Sequence, residues 1–328
     1  MNGIRFIIVT FAASIAISPL VRQVQAQGGP LDPSMTGDPT TGNIPPVNGS
    51  GEPQPFMRTV FECEPRIPIH NVPFVIDTSG SYYLTRHMTN ITGDGISVFA
   101  DDVTIDLNGF ALRGQVGTGV GILAPLPQSN ITIKNGTIRN WILDGIEAAS
   151  TESGRYENLT LMNCGERGVH CGDSSSLQGL WCENNGQGGI LAGNECRIRD
   201  VSVKSGLGIV AGSGSVISDC TVRGSTGNGI DFGARSRISS CTVEQCAGDG
   251  LFTSGDGSYV QGNFLCRNNI GLEVQGTNTV ITQNVAIENT AGNYLIASNN
   301  YQALLLDPGV VPGTGFSTDQ PLANVDIP

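Results

Sequence analysis

Three stretches in the C-terminal half of the chain repeat one phrase: Asn228-Gly229-Ile230-Asp231-Phe232, Asp249-Gly250-Leu251-Phe252-Thr253 and Ile270-Gly271-Leu272-Glu273-Val274. The core of the phrase, a glycine followed at once by an aliphatic residue, also occurs upstream. It stands at Gly95-Ile96, Gly121-Ile122, Gly145-Ile146, Gly168-Val169, Gly189-Ile190 and Gly208-Ile209. Successive copies are 26, 24, 23, 21, 19, 21, 21 and 21 residues apart, a period that marks a repeat architecture. In every copy the residue after the glycine is Ile, Val or Leu. The residue two further on is Val98, Ala124, Ala148, Cys171, Ala192, Ala211, Phe232, Thr253 or Val274, and the residue between them is mixed. That is the period-2 signature of a short strand with one buried face. Asp94, Asp144, Asn228 and Asp249 precede their glycines. Such side chains suit left-handed turns and are expected to bond their own backbone.

A second strand occupies the other half of each repeat, as in Val103-Thr104-Ile105, Ile131-Thr132-Ile133, Leu159-Thr160-Leu161, Val201-Ser202-Val203 and Cys241-Thr242-Val243. About 21 residues per repeat leave no room for a crossover helix, so a parallel β-helix follows, each repeat forming one coil on the last. The nine copies predict about nine to ten coils and a rod on the order of 45 Å long. The exposed ends call for caps. Residues 61–94 suit the first and the tail from Tyr294 through Leu304-Leu305-Leu306 and Phe316 suits the other. Composition agrees: 45 glycines in 328 residues, 14% charged and 6% aromatic residues exclude a helical bundle.

Outside the repeat, residues 1–26 form a secretory signal, with Arg5, an apolar run from Phe6 to Ile17 and Val24-Gln25-Ala26 before the cleavage point. A flexible leader is expected over 27–60; within it residues 27–55 hold seven prolines and six glycines and no Lys or Arg. The β-helix with its N-terminal cap then takes 61–300 and a C-terminal cap or tail 301–328. The expected product is a secreted, periplasmic or cell-surface protein with no membrane span after cleavage. The formal net charge of −12 becomes −14 without the signal. It argues against nucleic acid as a partner and, among glycans, for a neutral one.

The segments Glu64-Pro65-Arg66-Ile67-Pro68-Ile69, Gly80-Ser81-Tyr82-Tyr83-Leu84, Asp101-Asp102-Val103-Thr104-Ile105-Asp106-Leu107-Asn108-Gly109 and Asn130-Ile131-Thr132-Ile133-Lys134-Asn135-Gly136 resemble a family of exported bacterial right-handed parallel β-helix region proteins. The resemblance covers about residues 60–300. It implies the right hand of the coil, an all-β single-stranded solenoid, and the pectate-lyase-like superfamily. That superfamily's polysaccharide substrates then become the implied partner class, alongside cell-surface glycans. Its catalytic signatures are missing: only Asp101-Asp102 survives of the polygalacturonase set, and the Asp-Pro-His of alginate epimerases is absent. A non-catalytic binder of polysaccharide or of a cell-surface component is therefore expected, with a hydrolase or lyase and a structural spacer or adhesin as alternatives.

Candidate chemistry lies on the mixed, outward position. Asp231 and Glu273 stand two coils apart with Phe252 between them, an arrangement of two carboxylates and a sugar-stacking ring that suits inverting glycoside hydrolysis. Arg235 or Arg267 is a candidate neighbour. Glu147 and His170 fall in adjacent coils and are placed to share a proton. His70, His87 and His170 show no mutual metal-ligand spacing, so neither a metal nor a cofactor is expected. Of nine cysteines, eight lie in residues 164–266; buried free thiols are favoured, with Cys220–Cys241 the first candidate bridge. Asn130 and Asn158 begin glycosylation-like sequons but are expected to be structural turn residues.

Overall fold

The computed structural model describes residues 65–115, 117–303, 305–306 and 323–327. The expected signal peptide, the leader and Cys63 lie outside them. Among the described residues every regular element is a strand, arranged as a right-handed parallel β-helix. One sheet has eleven parallel strands, from Phe74–Ile76 through Ile230–Phe232 to Gly292–Ile296. Its register follows the glycine-aliphatic repeat residue for residue: Ile96 pairs with Ile122, then Ile146, Val169, Ile190, Ile209, Ile230, Leu251 and Leu272. Each of these is at most 2% exposed, so the aliphatic ladder is the core. The helix has eleven coils rather than nine or ten, because Phe74 extends the ladder before Ile96 and Tyr294 extends it after Leu272. Both lie in segments expected to act as caps.

The second sheet covers the remaining sides of each coil. Its strands run eight residues in the middle coils, Thr132–Arg139, Arg155–Met162, Ser176–Glu183 and Arg197–Lys204. Later coils split the same path into two three-residue strands, such as Arg237–Ser239 and Thr242–Glu244. The chain bends at residues with positive φ, three per coil. In one coil these are Ser240 (56°), Gln245 (58°) and Gly257 (70°). Asn130 and Asn158, at 56° and 52°, stand at such bends, in keeping with a structural role.

In the later coils each bend is followed by a small polar residue whose side chain points inward, Cys241, Cys246 and Ser258 here and Asn263, Asn268 and Thr279 one coil on, whereas several earlier bends are followed by apolar residues such as Val103, Ile131, Leu159, Leu180 and Val201. The bend turns the next backbone N–H toward the interior, where no water reaches it, and the counterpart side chain of the following coil accepts it. The Cys241 amide donates to Asn263 Oδ1 at 2.9 Å, and the Asn263 amide to Asn284 Oδ1 at 3.0 Å. At the second bend Cys246 donates to Asn268 Oδ1 and Asn268 to Asn289 Oδ1. At the third, Ser236, Ser258 and Thr279 donate in turn to Ser258 Oγ, Thr279 Oγ1 and Asn300 Oδ1. Every buried donor so paired avoids a penalty of about 1–3 kcal/mol. Five of the eight described cysteines, Cys164, Cys196, Cys220, Cys241 and Cys246, occupy this position. All eight are buried and free, Cys220 and Cys241 included. The C-terminal strand Asn324–Ile327 pairs with Val285–Ile287 and continues the ladder, since Asn324 Oδ1 accepts from the Asn284 amide at 3.0 Å.

Two expectations about the repeat phrase need correction. Asp94, Asp144, Asn228 and Asp249 are not in the left-handed region, and neither are the glycines that follow them, which are required by space. A Cβ on Gly250 would sit 2.6 Å from the Gly271 carbonyl oxygen, and one on Gly229 would sit 2.7 Å from that of Gly250. The residue before the glycine does not bond its own backbone. Its side chain accepts from the equivalent amide of the next coil: Asp94 from Val120, Asp144 from Arg167, Asn228 from Asp249 and Asp249 from Ile270.

Substitution Ile230→Asp places a charge among stacked aliphatics and should cost roughly 3 kcal/mol or more, read as a fall in melting temperature. Asn284→Ala leaves the buried Asn263 amide without its acceptor and should cost roughly 2 kcal/mol. A wild-type melting temperature in either variant would contradict the ladder it tests.

Candidate functional site

The mixed position of the first sheet forms an outward column: Val75, Ser97, Leu123, Glu147, His170, Leu191, Val210, Asp231, Phe252, Glu273 and Leu295. Polar groups gather at two stations, and Leu191 and Val210 separate them.

At the first station Glu147 and His170 meet as the sequence predicts, with His170 Nδ1 2.7 Å from Glu147 Oε2. The structure adds a third member, Asp144, whose carboxyl hydrogen-bonds Glu147. One ligand atom from each of the three lies within 4.8 Å of the others. Asp144 sits on the turn before the glycine of the repeat phrase, three residues ahead of Glu147, and its side chain is only 3% exposed. Burial pushes its carboxyl up, as does the hydrogen bond to Glu147, and the Arg167 amide and guanidinium only partly offset this, leaving it at about 7. Burial acts on Glu147 in the same direction, but hydrogen bonds from His170, Asp144 and the Ala149 amide outweigh it and hold this carboxyl at about 2. Arg167 Nη1 lies 3.6 Å from Asp144 Oδ2 and 3.6 Å from Glu166 Oε2.

The second station keeps the predicted register: Asp231 pairs with Phe252 and Phe252 with Glu273. Two strand spacings put the carboxylate-bearing backbones about 10 Å apart. Burial raises the Asp231 carboxyl, against a hydrogen bond from Asn228. Glu273 has other partners: Gln275 Nε2 donates to it at 2.7 Å and Asp249 hydrogen-bonds it. The expected arginines are elsewhere. Arg267 is held by Glu288 at 2.8 Å, and Arg235 stands at a left-handed bend.

Sequence reasoning missed a third feature, on the second sheet. An outward column runs Thr132, Arg155, Ser176, Arg197, Val216, Arg237, Tyr259, Val280 and Tyr301. Arginines recur in every second coil up to Arg237; Tyr259 follows in the next coil and Tyr301 two coils beyond it, one coil out of phase with the arginines. All three arginines are exposed, and among the described residues none is in an ion pair. The Arg237 guanidinium lies 5.2 Å from the Tyr259 ring centroid, and Tyr301 is 65% exposed. A separate groove of about 900 Å³ crosses the corner formed by Asn140, Asn163 and Asn184. None of the residues singled out from the sequence lines it.

Residues 205–307 match the family described as right handed beta helix region. No curated protein sequence matches the chain. Among solved structures, the Dettilon tailspike protein gp208 is similar at 11% identity and TM-score 0.43, over 80% of this chain and 61% of the tailspike. The chain therefore spans less than two thirds of that protein. The A-module of Azotobacter vinelandii mannuronan C-5 epimerase AlgE6 is similar at 9% identity and TM-score 0.44, over 72% of this chain and 88% of the module. The periplasmic alginate epimerase AlgG is similar at 13% identity and TM-score 0.41, over 79% and 69%.

Burial and the contact with Glu273 both raise the Asp249 carboxyl above its ordinary value, against the Asn269 amide group and the Ile270 N–H. The unfolded chain therefore releases this proton at lower pH than the folded one, so a destabilising contribution grows as pH rises from the ordinary carboxylate value to the raised one. Asp249→Asn keeps the acceptor for Ile270, as Asn228 does for Asp249. Its melting temperature should match the wild type near pH 3 and exceed it at pH 7.5. A difference that stays constant with pH would contradict this account.

Proposed function

We propose that this chain is an exported, non-catalytic β-helix that binds an extended acidic polysaccharide along the Arg155–Tyr301 column. The observation that carries the reading is the arginine at every second coil, at Arg155, Arg197 and Arg237, on one straight exposed line. Two coils span about 10 Å, so the guanidiniums form a linear array suited to a chain molecule with regularly spaced carboxylates. Each guanidinium can bind a carboxylate in a two-pronged hydrogen-bonded pair. Tyr259 and Tyr301 then offer flat apolar faces with a polar rim to sugar rings. This replaces the neutral glycan suggested by whole-chain charge. At physiological salt a net charge of −12 is felt only over about 8 Å, whereas the arginines act at contact.

The test uses polygalacturonate and alginate as acidic probes and dextran as the neutral one, with binding measured by calorimetry. Acidic chains should bind and dextran should not. Added salt should weaken binding, and the triple variant Arg155→Ala/Arg197→Ala/Arg237→Ala should bind at least ten times more weakly with an unchanged melting temperature. Undiminished binding by the triple variant, or equal affinity for a single-stranded polynucleotide, would remove this reading. A hydrolase or lyase remains the second reading, resting on the Asp231–Phe252–Glu273 register. It requires release of new chain ends from a polysaccharide that is lost in both Asp231→Asn and Glu273→Gln. Identical turnover in both variants would eliminate that site.

A further inference from the structure

The fold has a use for Asp144, which clamps the next coil through the Arg167 amide. Glu147 and His170 lie on the outward column, half-buried, and meet across adjacent coils. Their arrangement is ordered from behind. One oxygen of each carboxylate is fixed by a backbone N–H: Asp144 Oδ1 by Arg167 at 2.7 Å, and Glu147 Oε1 by Ala149 at 3.1 Å. The other oxygens are left to converge with His170 Nδ1, the Glu147 Oε2 contact being 2.7 Å and the set of three lying within 4.8 Å. Fixing the outer oxygens of ligating carboxylates by hydrogen bonds is how metal sites orient their ligands. The second station lacks this chemistry: Asp249 and Glu273 also touch, but the groups around them are amides and no imidazole is present.

We propose that Asp144, Glu147 and His170 form a zinc site, with Asp144 Oδ2, Glu147 Oε2 and His170 Nδ1 as ligands. One imidazole nitrogen and two carboxylate oxygens favour zinc over calcium or magnesium, which prefer oxygen donors throughout. Three protein ligands and a fourth position open to water make an accessible tetrahedral site. Glu147 and His170 are 26% and 23% exposed, so the fourth position faces solvent. Bond lengths of about 2.0–2.2 Å place tetrahedral ligand atoms about 3.3 Å apart. Glu147 and His170 need only part slightly, and Asp144 draw in, to reach that. The ion takes the place of the Arg167 guanidinium beside Asp144. Arg167 has a second acceptor ready in Glu166 Oε2 at 3.6 Å. The sequence placed Glu147 beside His170, 23 residues on, through the coil register; Asp144, three residues before Glu147, completes the set of three.

The test is zinc binding to the purified, chelator-treated chain. The wild type should bind one zinc at micromolar or tighter affinity and gain melting temperature with added Zn²⁺. His170→Ala and Glu147→Gln, both at exposed side chains that leave the Asp144 clamp intact, should each bind at least tenfold more weakly and lose the zinc-dependent shift. Co²⁺ should give visible ligand-field bands without thiolate charge-transfer absorption. Absence of a zinc-dependent shift in the wild type would overturn the proposal. So would zinc retained equally by both variants, or a thiolate signature with Co²⁺, which would place the ion on cysteine.

Discussion

The inward-facing backbone N–H after each left-handed bend governs this molecule. A coil of 21 residues can close only by bending sharply, and each bend aims one amide at a dry interior. An unpaired amide there costs about 1–3 kcal/mol, and three per coil over the later coils alone would match or exceed the 5–15 kcal/mol net stability usual for a domain. The chain meets this by placing a small acceptor one coil further along, as Asn263 does for Cys241 and Ser258 for Ser236. Coils are therefore stacked by side chain to backbone bonds at the corners as well as by backbone pairing in the sheets. The requirement also explains the composition. Ser, Thr, Asn and Cys are small enough to turn inward at a corner, whereas Lys and Glu are not, so few of the inward positions carry charge.

Because corners and inner columns are committed to stacking, only the outward columns are free to vary. A solenoid converts residue spacing into straight-line geometry, so residues far apart in sequence line up in space. The arginine column and the Asp144–Glu147–His170 cluster both arise in this way, one on each sheet. They ask for different things. The column is a repeating surface suited to a repeating ligand, and the cluster is a single point where two adjacent coils bring a nitrogen and two oxygens together.

The first sheet was legible to the residue because its marker has a steric cause. Glycine is required wherever the next coil's carbonyl presses on the chain, as Gly271 O presses on Gly250. The same cause explains the missed final coil. Asn293 holds the glycine position there, and among the described residues no further strand of that sheet lies over it to forbid a side chain. The second sheet was legible as strands but not as columns. Repeats of 19 to 26 residues shift its register relative to the glycine marker, and Arg155, Arg197 and Arg237 align only once the pairings are known. Glu147 and His170 were found because they lie on the marked strand. Asp144 was missed because its place before the glycine already had a turn explanation, and the contact that reveals it comes from its own neighbour three residues on.

Net charge is a weak guide to the partner for a related reason. A sum over 328 residues treats the surface as mixed, but a β-helix sorts its charges by column. Arginines two coils apart are separated by about 10 Å, close to the Debye length at physiological salt. They repel one another weakly, so the array costs the fold little, and acids on other columns are screened from it to a similar degree. A carboxylate that touches a guanidinium is not screened, since no counterion layer stands between them. An acidic chain lying along the column thus meets a series of nearly independent cationic contacts. Its affinity is set by how many carboxylates fall in step with the coils, and the sign of the whole protein's charge has little part in it.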